Sequence, residues 1–257
     1  MEQRILIDYF VASWKVCGYV DEIEHSQWKP PPEWEKLGKM HDRERFKIFD
    51  LIGKPPNEDW EIIKSYYGCT LCYYYEGIKI HIGEDIVILD CSGRGCRTLE
   101  NEFGWDWETH LKQWKPELTE HQPGDTPRMH IARLDVACDL IDCEDISVKK
   151  IADSVKNNRY TCRSGYYSVI DGSDEEAVYF GSPRSDRRLR IYNKAKEQGI
   201  TDYQWVRFEF QLRNDNALSF ILNYYKMQHF GNTFYGVMAD YVNFTQLPVM
   251  DIMMKEK

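Results

Sequence analysis

Two stretches of this chain each set an apolar side against a side that holds charged residues, and each carries a carboxylate in mid-run. In Met129–Ile141, Ala132, Leu134, Val136 and Cys138 fall on one side, with Arg133, Asp135, Ala137 and Asp139 on the other. In Tyr203–Arg213, Val206, Phe208, Phe210 and Leu212 oppose Trp205, Arg207, Glu209, Gln211 and Arg213. A period of two is the signature of a β-strand, whose successive side chains leave opposite faces. An apolar face of this length has to pack on other elements, so the pattern demands a sheet backed by helices. Carboxylates among apolar neighbours are costly unless exposed, paired or bound to metal. Two readings of Asp135 and Glu209 therefore stay open: ion pairs with Arg207, Arg133 or Arg190, or oxygen ligands of a hard divalent cation such as Mg²⁺ or Mn²⁺.

A third strand is expected over 187–194, where Arg188, Arg190, Tyr192 and Lys194 project to one side and Leu189 and Ile191 to the other. The formal net charge of −9 argues against a protein that coats nucleic acid through a basic surface. From Arg184 to Lys196, however, six basic residues (Arg184, Arg187, Arg188, Arg190, Lys194 and Lys196) face one acid, Asp186. Positive charge is thus concentrated around Tyr192. If the three strands share a sheet and bury the same face, Asp135, Glu209, Arg207, Tyr192 and Lys194 line one open surface.

A phenol has an ordinary pKa of about 10 and attacks poorly at neutral pH unless nearby charge favours phenolate. A metal can polarise a phosphoryl oxygen, and Lys or Arg can offset charge in the transition state. Tyrosine attack on a DNA phosphodiester leaves a covalent phosphotyrosine and a free hydroxyl, which keeps the bond energy for rejoining.

At 257 residues and 42% hydrophobic content the chain can bury a substantial core. It has no apolar run long enough to span a membrane and no signal-peptide pattern at its start, so a soluble, cytoplasmic protein is expected. Of eight cysteines only Cys69 and Cys72 have metal-like spacing, with no second such pair, which favours reduced, mostly buried thiols. No His-hydrophobic-His pair occurs among the seven histidines. Residues 4–16 read as a strand, 21–45 as a charged, proline-rich excursion, and 58–67 as a short helix ended by Gly68. Strands follow at 70–76, 78–82 and 85–91, then a glycine-punctuated turn, Ser92–Arg97, into a helix over 98–114. The second half repeats the plan: strand 129–141, helix 147–157, strands 165–171, 176–181, 187–194 and 203–213, and a last helix over 215–229. The fold class is α+β, an antiparallel or mixed sheet backed by helices, with two pseudo-twofold related strand-helix-strands-helix halves as an option. We read 1–257 as a single catalytic domain with internal halves 1–115 and 128–230 and a C-terminal tail over 231–257.

Ser92-Gly93-Arg94-Gly95-Cys96-Arg97, Arg133-Leu134-Asp135-Val136-Ala137-Cys138-Asp139, Val178-Tyr179-Phe180-Gly181-Ser182 with Ser185, Arg190-Ile191-Tyr192-Asn193-Lys194 with Glu197, and Trp205-Val206-Arg207-Phe208-Glu209 stand in this order. Taken together they resemble the replication initiation factor family (Rep_trans type) of rolling-circle plasmids, phages and integrative conjugative elements. The resemblance implies a bacterial nickase, relaxase-like where the element is conjugative, that cuts one strand at an origin and stays joined to the 5′ phosphate through Tyr192, leaving a 3′ hydroxyl. It implies Lys194 as a catalytic cation and a Mg²⁺ or Mn²⁺ ion held by Asp135, Glu209 and Asp139. Arg188, Arg190, Arg207, Arg133 and Arg184 are the expected DNA-binding residues. Origin DNA, single-stranded or as a cruciform nick site, is the partner implied, with a host helicase and a homodimer as further expectations. Relatives often carry aspartate at the position of Asn193. The competing reading is a non-catalytic DNA-binding or regulatory relative of the same fold.

Overall fold

The computed structural model describes residues 1–16, 48–49, 51–53, 59–119, 128–172 and 175–254. The excursion expected over 21–45 lies outside them. The chain forms two compact units, Asp8–Ala132 and a second made of Met1–Ile7 with Arg133–Lys257.

In the first unit, strands β2 (Glu61–Ile62), β3 (Leu71–Tyr75), β4 (Ile78–Ile82), β5 (Ile86–Cys91) and the greater part of β1 (Glu2–Lys15) form an antiparallel sheet in that order. Helices α1 (Gly93–Phe103) and α2 (Trp107–Leu118) follow. Phe10 of β1 packs on Trp107 and Trp114 of α2, with ring centroids 5.2 and 5.6 Å apart. The helix expected over 98–114 begins earlier and is two helices. Gly104 breaks it with φ at 66°, and Asp106 restarts it by accepting from the backbone N–H of Glu108 and Thr109. The Ser92–Arg97 run is a packing device: a Cβ on Gly95 would sit 2.3 Å from the carbonyl oxygen of Gly77, so only glycine lets the first turn of α1 rest on the β3–β4 turn.

No helix forms over the described part of 58–67. Ile62 pairs with Tyr73 in the sheet, while Trp60 is buried against Phe49 and Tyr75. Gly68, with φ at 74°, closes a turn together with Tyr67 rather than a helix. Helical residues do occur at 48–49 and 51–52, ahead of Pro55.

In the second unit, β6 (Met129–Ile141), β11 (Trp205–Arg213), β10 (Arg187–Asn193), β9 (Glu176–Phe180) and β8 (Tyr167–Asp171) pair antiparallel in that order, while β7 (Tyr160–Cys162) pairs with β12 (Val242–Phe244). Helices α3 (Val148–Lys156), α5 (Asp215–Met227), α6 (Phe230–Tyr241) and α7 (Val249–Met253), with the single turn α4 (Lys194–Glu197), complete it. The apolar faces are those expected: Leu134, Val136, Cys138, Phe208, Phe210, Leu189 and Ile191 are buried. Phe210 stacks edge-to-face on Phe234 and Tyr241 of α6 at 5.8 and 5.5 Å. The described part of the segment expected as a C-terminal tail, 231–254, carries most of α6 and all of α7, whose buried Phe234, Tyr241, Ile252 and Met253 help close the core. The fold is α+β with antiparallel sheets backed by helices.

Candidate active site

The site lies wholly in the second unit, on the polar face of β6, β11, β10 and β9. Directly paired residues of neighbouring strands share a face, so the register defines the constellation. Arg207 pairs with both Asp139 and Tyr192, Glu209 with Ala137 and Arg190, and Gln211 with Asp135 and Arg188. On β9, Ala177 lies opposite Tyr192 and Tyr179 opposite Arg190. Asp135, Asp139, Arg207, Glu209, Gln211, Arg188, Arg190 and Tyr192 thus share a face, as the alternation predicts.

The face is not open. Tyr192 is 6% exposed, and Asp135 and Glu209 are each 2% exposed. The reason is that arginines close over the carboxylates. Arg190 Nη1 donates to Glu209 Oε1 at 3.0 Å, while the Tyr192 hydroxyl donates to Glu209 Oε2 at 2.9 Å. Arg133 grips Asp135 with two bonds, at 2.9 and 2.5 Å, and Gln211 Nε2 donates to the same carboxylate at 3.5 Å. Arg207 holds Asp139 with two bonds, at 2.6 and 2.9 Å. Two-pronged pairs of this kind combine charge with fixed geometry, which is what makes a buried carboxylate tolerable.

These surroundings set the proton affinities. Burial pushes the Tyr192 phenol well above its ordinary value, the adjacent Glu209 charge adds to the rise, and Arg207 opposes it. The cations on this face therefore do not offset the effect of burial and of Glu209 on the phenol. Burial likewise raises Asp135, against the pull of Arg133. Burial works against the charge of Arg190, yet Glu209 holds it above its ordinary value.

Lys194 departs from the strand that was expected to carry it. β10 ends at Asn193, whose side chain accepts from the Lys196 N–H at 3.0 Å and so caps α4. An aspartate could cap in the same way. Lys194 begins the turn, pairs with Glu197, and still lies 5.7 Å from the Tyr192 ring centroid, with Arg190 at 5.0 Å. Arg188 lies over Tyr179 at 4.4 Å, and its buried Nε has no hydrogen-bond partner. Arg184 is exposed on the β9–β10 loop, off the strand face. Two residues not singled out from the sequence belong here: Tyr179, the platform under Arg188, and Gln211, the second partner of Asp135. Tyr179 could have been found by placing its alternating neighbours on β9 opposite β10.

As a metal site the face is a partial fit. Asp135, Glu209 and Gln211 carry the hard oxygen atoms that Mg²⁺ or Mn²⁺ takes, but the carboxylate oxygens are engaged here, those of Asp135 by Arg133 and those of Glu209 by Arg190 and Tyr192, so a cation has to displace these partners. Asp139, expected as a third ligand, instead has both oxygens engaged by Arg207 deep in the sheet. Among the described residues no three His, Cys, Asp or Glu side chains gather as a metal-binding group. Cys69, Cys72, Cys91, Cys96, Cys138, Cys143 and Cys162 are free thiols. Among the described residues no helix is long and apolar enough to cross a membrane.

Residues 129–251 match the family model described as replication initiation factor, Rep_trans. No curated protein matches the chain. A solved structure of a rolling circle replication initiator protein from Geobacillus stearothermophilus superposes with a TM-score of 0.71 at 21% identity, covering 95% of this chain and 87% of that one. The likeness extends the shared fold beyond the segment that the family match covers.

Proposed function

We propose, from the match of residues 129–251 to the replication initiation factor model, that the chain serves replication initiation as an origin-specific DNA strand nickase with Tyr192 as nucleophile. The observation that carries the proposal is the Tyr192 hydroxyl held by a carboxylate, 2.9 Å from Glu209, on a face that also presents Arg188 and Arg190.

Arg190 is the outermost member of the Glu209 pair, with 27% of its side chain exposed against 3% for Glu209. An incoming phosphodiester competes for its guanidinium, and the half-buried Arg188 on the same face adds a second cation. Once Arg190 turns to the phosphate, Glu209 is left to accept the phenol proton as Tyr192 Oη bonds to phosphorus. The bond from phosphorus to the 3′ oxygen breaks, its electron pair leaves with that oxygen, and protonation gives the 3′ hydroxyl. The 5′ end remains as a phosphotyrosyl ester. Lys194 and Arg190 lie beside the ring where negative charge builds up. Asp135 and Glu209 would hold a divalent ion, which supplies polarisation of the phosphoryl oxygen. Asp139 is assigned to structure. The setting is the bacterial cytoplasm, with origin DNA as substrate, and the 3′ end is available to replication or, in a conjugative element, to strand transfer. A host helicase and a second copy of the chain are the further partners of this proposal.

The burial of Tyr192 is the observation that favours the second reading, a DNA-binding relative without catalysis. Incubation of the protein with supercoiled DNA bearing the origin of its own element, with Mn²⁺ or Mg²⁺, decides. Nicked circles carrying covalent protein, lost in Tyr192→Phe, are expected. Equal nicking by Tyr192→Phe removes Tyr192 as nucleophile, and salt-sensitive binding with no adduct under either metal establishes the second reading.

A further inference from the structure

Away from the tyrosine face, in the unit Asp8–Ala132, a cavity of about 260 Å³ lies where the end of β1 meets α2. Its aromatic wall is Trp14 set edge-to-face on Trp114, with centroids 5.6 Å apart. Trp114 is fixed from behind by stacking on Phe10 at 5.6 Å and by contact with Trp105 at 5.8 Å. Lys15, Gln113, Glu117 and Arg128 complete the polar part of the lining. Among the described residues none of these four side chains has a hydrogen-bond or ion-pair partner, while the Lys15 N–H donates to the Arg128 carbonyl at 2.9 Å.

A half-buried tryptophan beside unengaged amide, carboxylate and cationic groups is matched to a ligand that is flat, polar at its edges and negatively charged alongside. We propose that this cavity receives one unpaired base of a DNA single strand. The base stacks on Trp14, Gln113 and Glu117 take its edge, and Lys15 and Arg128 hold the flanking phosphates. The volume suits one base, lying below the roughly 300 Å³ at which pockets for larger ligands begin. Stacking on aromatic side chains is a sequence-tolerant source of affinity for single strands, and cations along the groove supply the salt-dependent part. The proposal uses the role in replication initiation but not the nicking chemistry.

Binding is read by fluorescence anisotropy of a labelled mixed-sequence nonanucleotide, in a Tyr192→Phe background so that no cleavage intervenes. Trp14→Ala should weaken binding by about tenfold and Trp14→Phe by less than about threefold, since base–aromatic stacking contributes on that scale. An abasic strand of the same length should bind the parent as weakly as the nonanucleotide binds Trp14→Ala. Should Trp14→Ala disturb the fold, the exposed pair Lys15→Gln with Arg128→Gln replaces it, and is expected to lower the slope of log affinity against log salt by about 1.4. Equal binding of abasic and base-bearing strands overturns the proposal, as does an unchanged salt slope in the double variant. Competition by deoxyadenosine monophosphate at concentrations equal to the strand assigns the cavity to a free nucleotide and overturns the strand assignment.

Discussion

Tyr192 and Glu209 are diagonal neighbours on adjacent strands, and the phenol hydroxyl donates to the carboxylate at 2.9 Å while Arg190, directly opposite Glu209, takes the other oxygen at 3.0 Å. A single carboxylate thus holds both the candidate nucleophile and a cation that lies over its ring. The consequence is that Glu209 affects both stability and chemistry, and the two effects can be measured apart.

Glu209→Gln keeps an acceptor for the Tyr192 hydroxyl but leaves Arg190 without its counter-charge. We expect a loss of about 2 kcal/mol, or about 4–8 °C in Tm, measured by thermal melting. Nicking should fall far more than the melting change explains, because the residual amide cannot take the phenol proton. Tyr192→Phe should lose only about 1 kcal/mol, the worth of one hydrogen bond, while abolishing the covalent adduct.

The Arg207–Asp139 pair is buried at both ends, with 5% and 1% of each side chain exposed. Removing one partner strands the other charge, so Asp139→Asn or Arg207→Met alone should cost about 3–5 kcal/mol in urea unfolding. The double variant Arg207→Met with Asp139→Leu should recover most of that loss. A double variant as unstable as the sum of the singles would show no coupling between the two side chains, each then acting through other neighbours.

Divalent metal should raise Tm if Asp135 and Glu209 bind it, since a ligand that binds only the folded state stabilises it by about 2.7 kcal/mol at a hundredfold excess over its Kd. Differential scanning with Mn²⁺ is the measurement, and Asp135→Asn should abolish the shift. No shift in the parent protein would sink the metal assignment.

His81 is fully buried in the first unit, its Nδ1 near the Ser65 hydroxyl at 3.1 Å and its ring against Tyr67 at 5.0 Å. Burial lowers its pKa below the ordinary 6.5, with Asp90 pulling the other way and Lys79 reinforcing the fall. The unfolded chain therefore binds a proton at a pH where the folded one does not. Stability contributed by neutral His81 is complete above 6.5 and declines as pH falls from that value towards the lowered folded one. The urea midpoint should drop between about pH 7.5 and about pH 5.5, at about 1.4 kcal/mol per unit of depression, and His81→Gln should flatten the drop.

The strands that build the candidate site were legible because alternation is local. Leu134 and Asp135 must leave β6 on opposite sides whatever lies around them, and the same holds for Phe208 and Glu209 on β11. The helix expected over 58–67 failed for the complementary reason. Gly68 marked a boundary, but the pairing of Ile62 with Tyr73 decided what lay before it. The missed helices α6 and α7 show the same limit, because Phe234 and Tyr241 have meaning only against Phe210 across the core.

By itself, then, the sequence determined which residues share a face: Tyr192, Asp135, Asp139 and Glu209 stand together because a two-residue period leaves no other arrangement once the strands pair. Only the tertiary structure decided how that face is closed. Register assigned Arg190 to Glu209 and Arg207 to Asp139, and the folding back of Arg133 closed over Asp135, so the surface that alternation leaves open to solvent is instead a buried ion-pair network. The physical reason is that a strand's period fixes direction, whereas burial and proton affinity depend on which charges arrive from other strands.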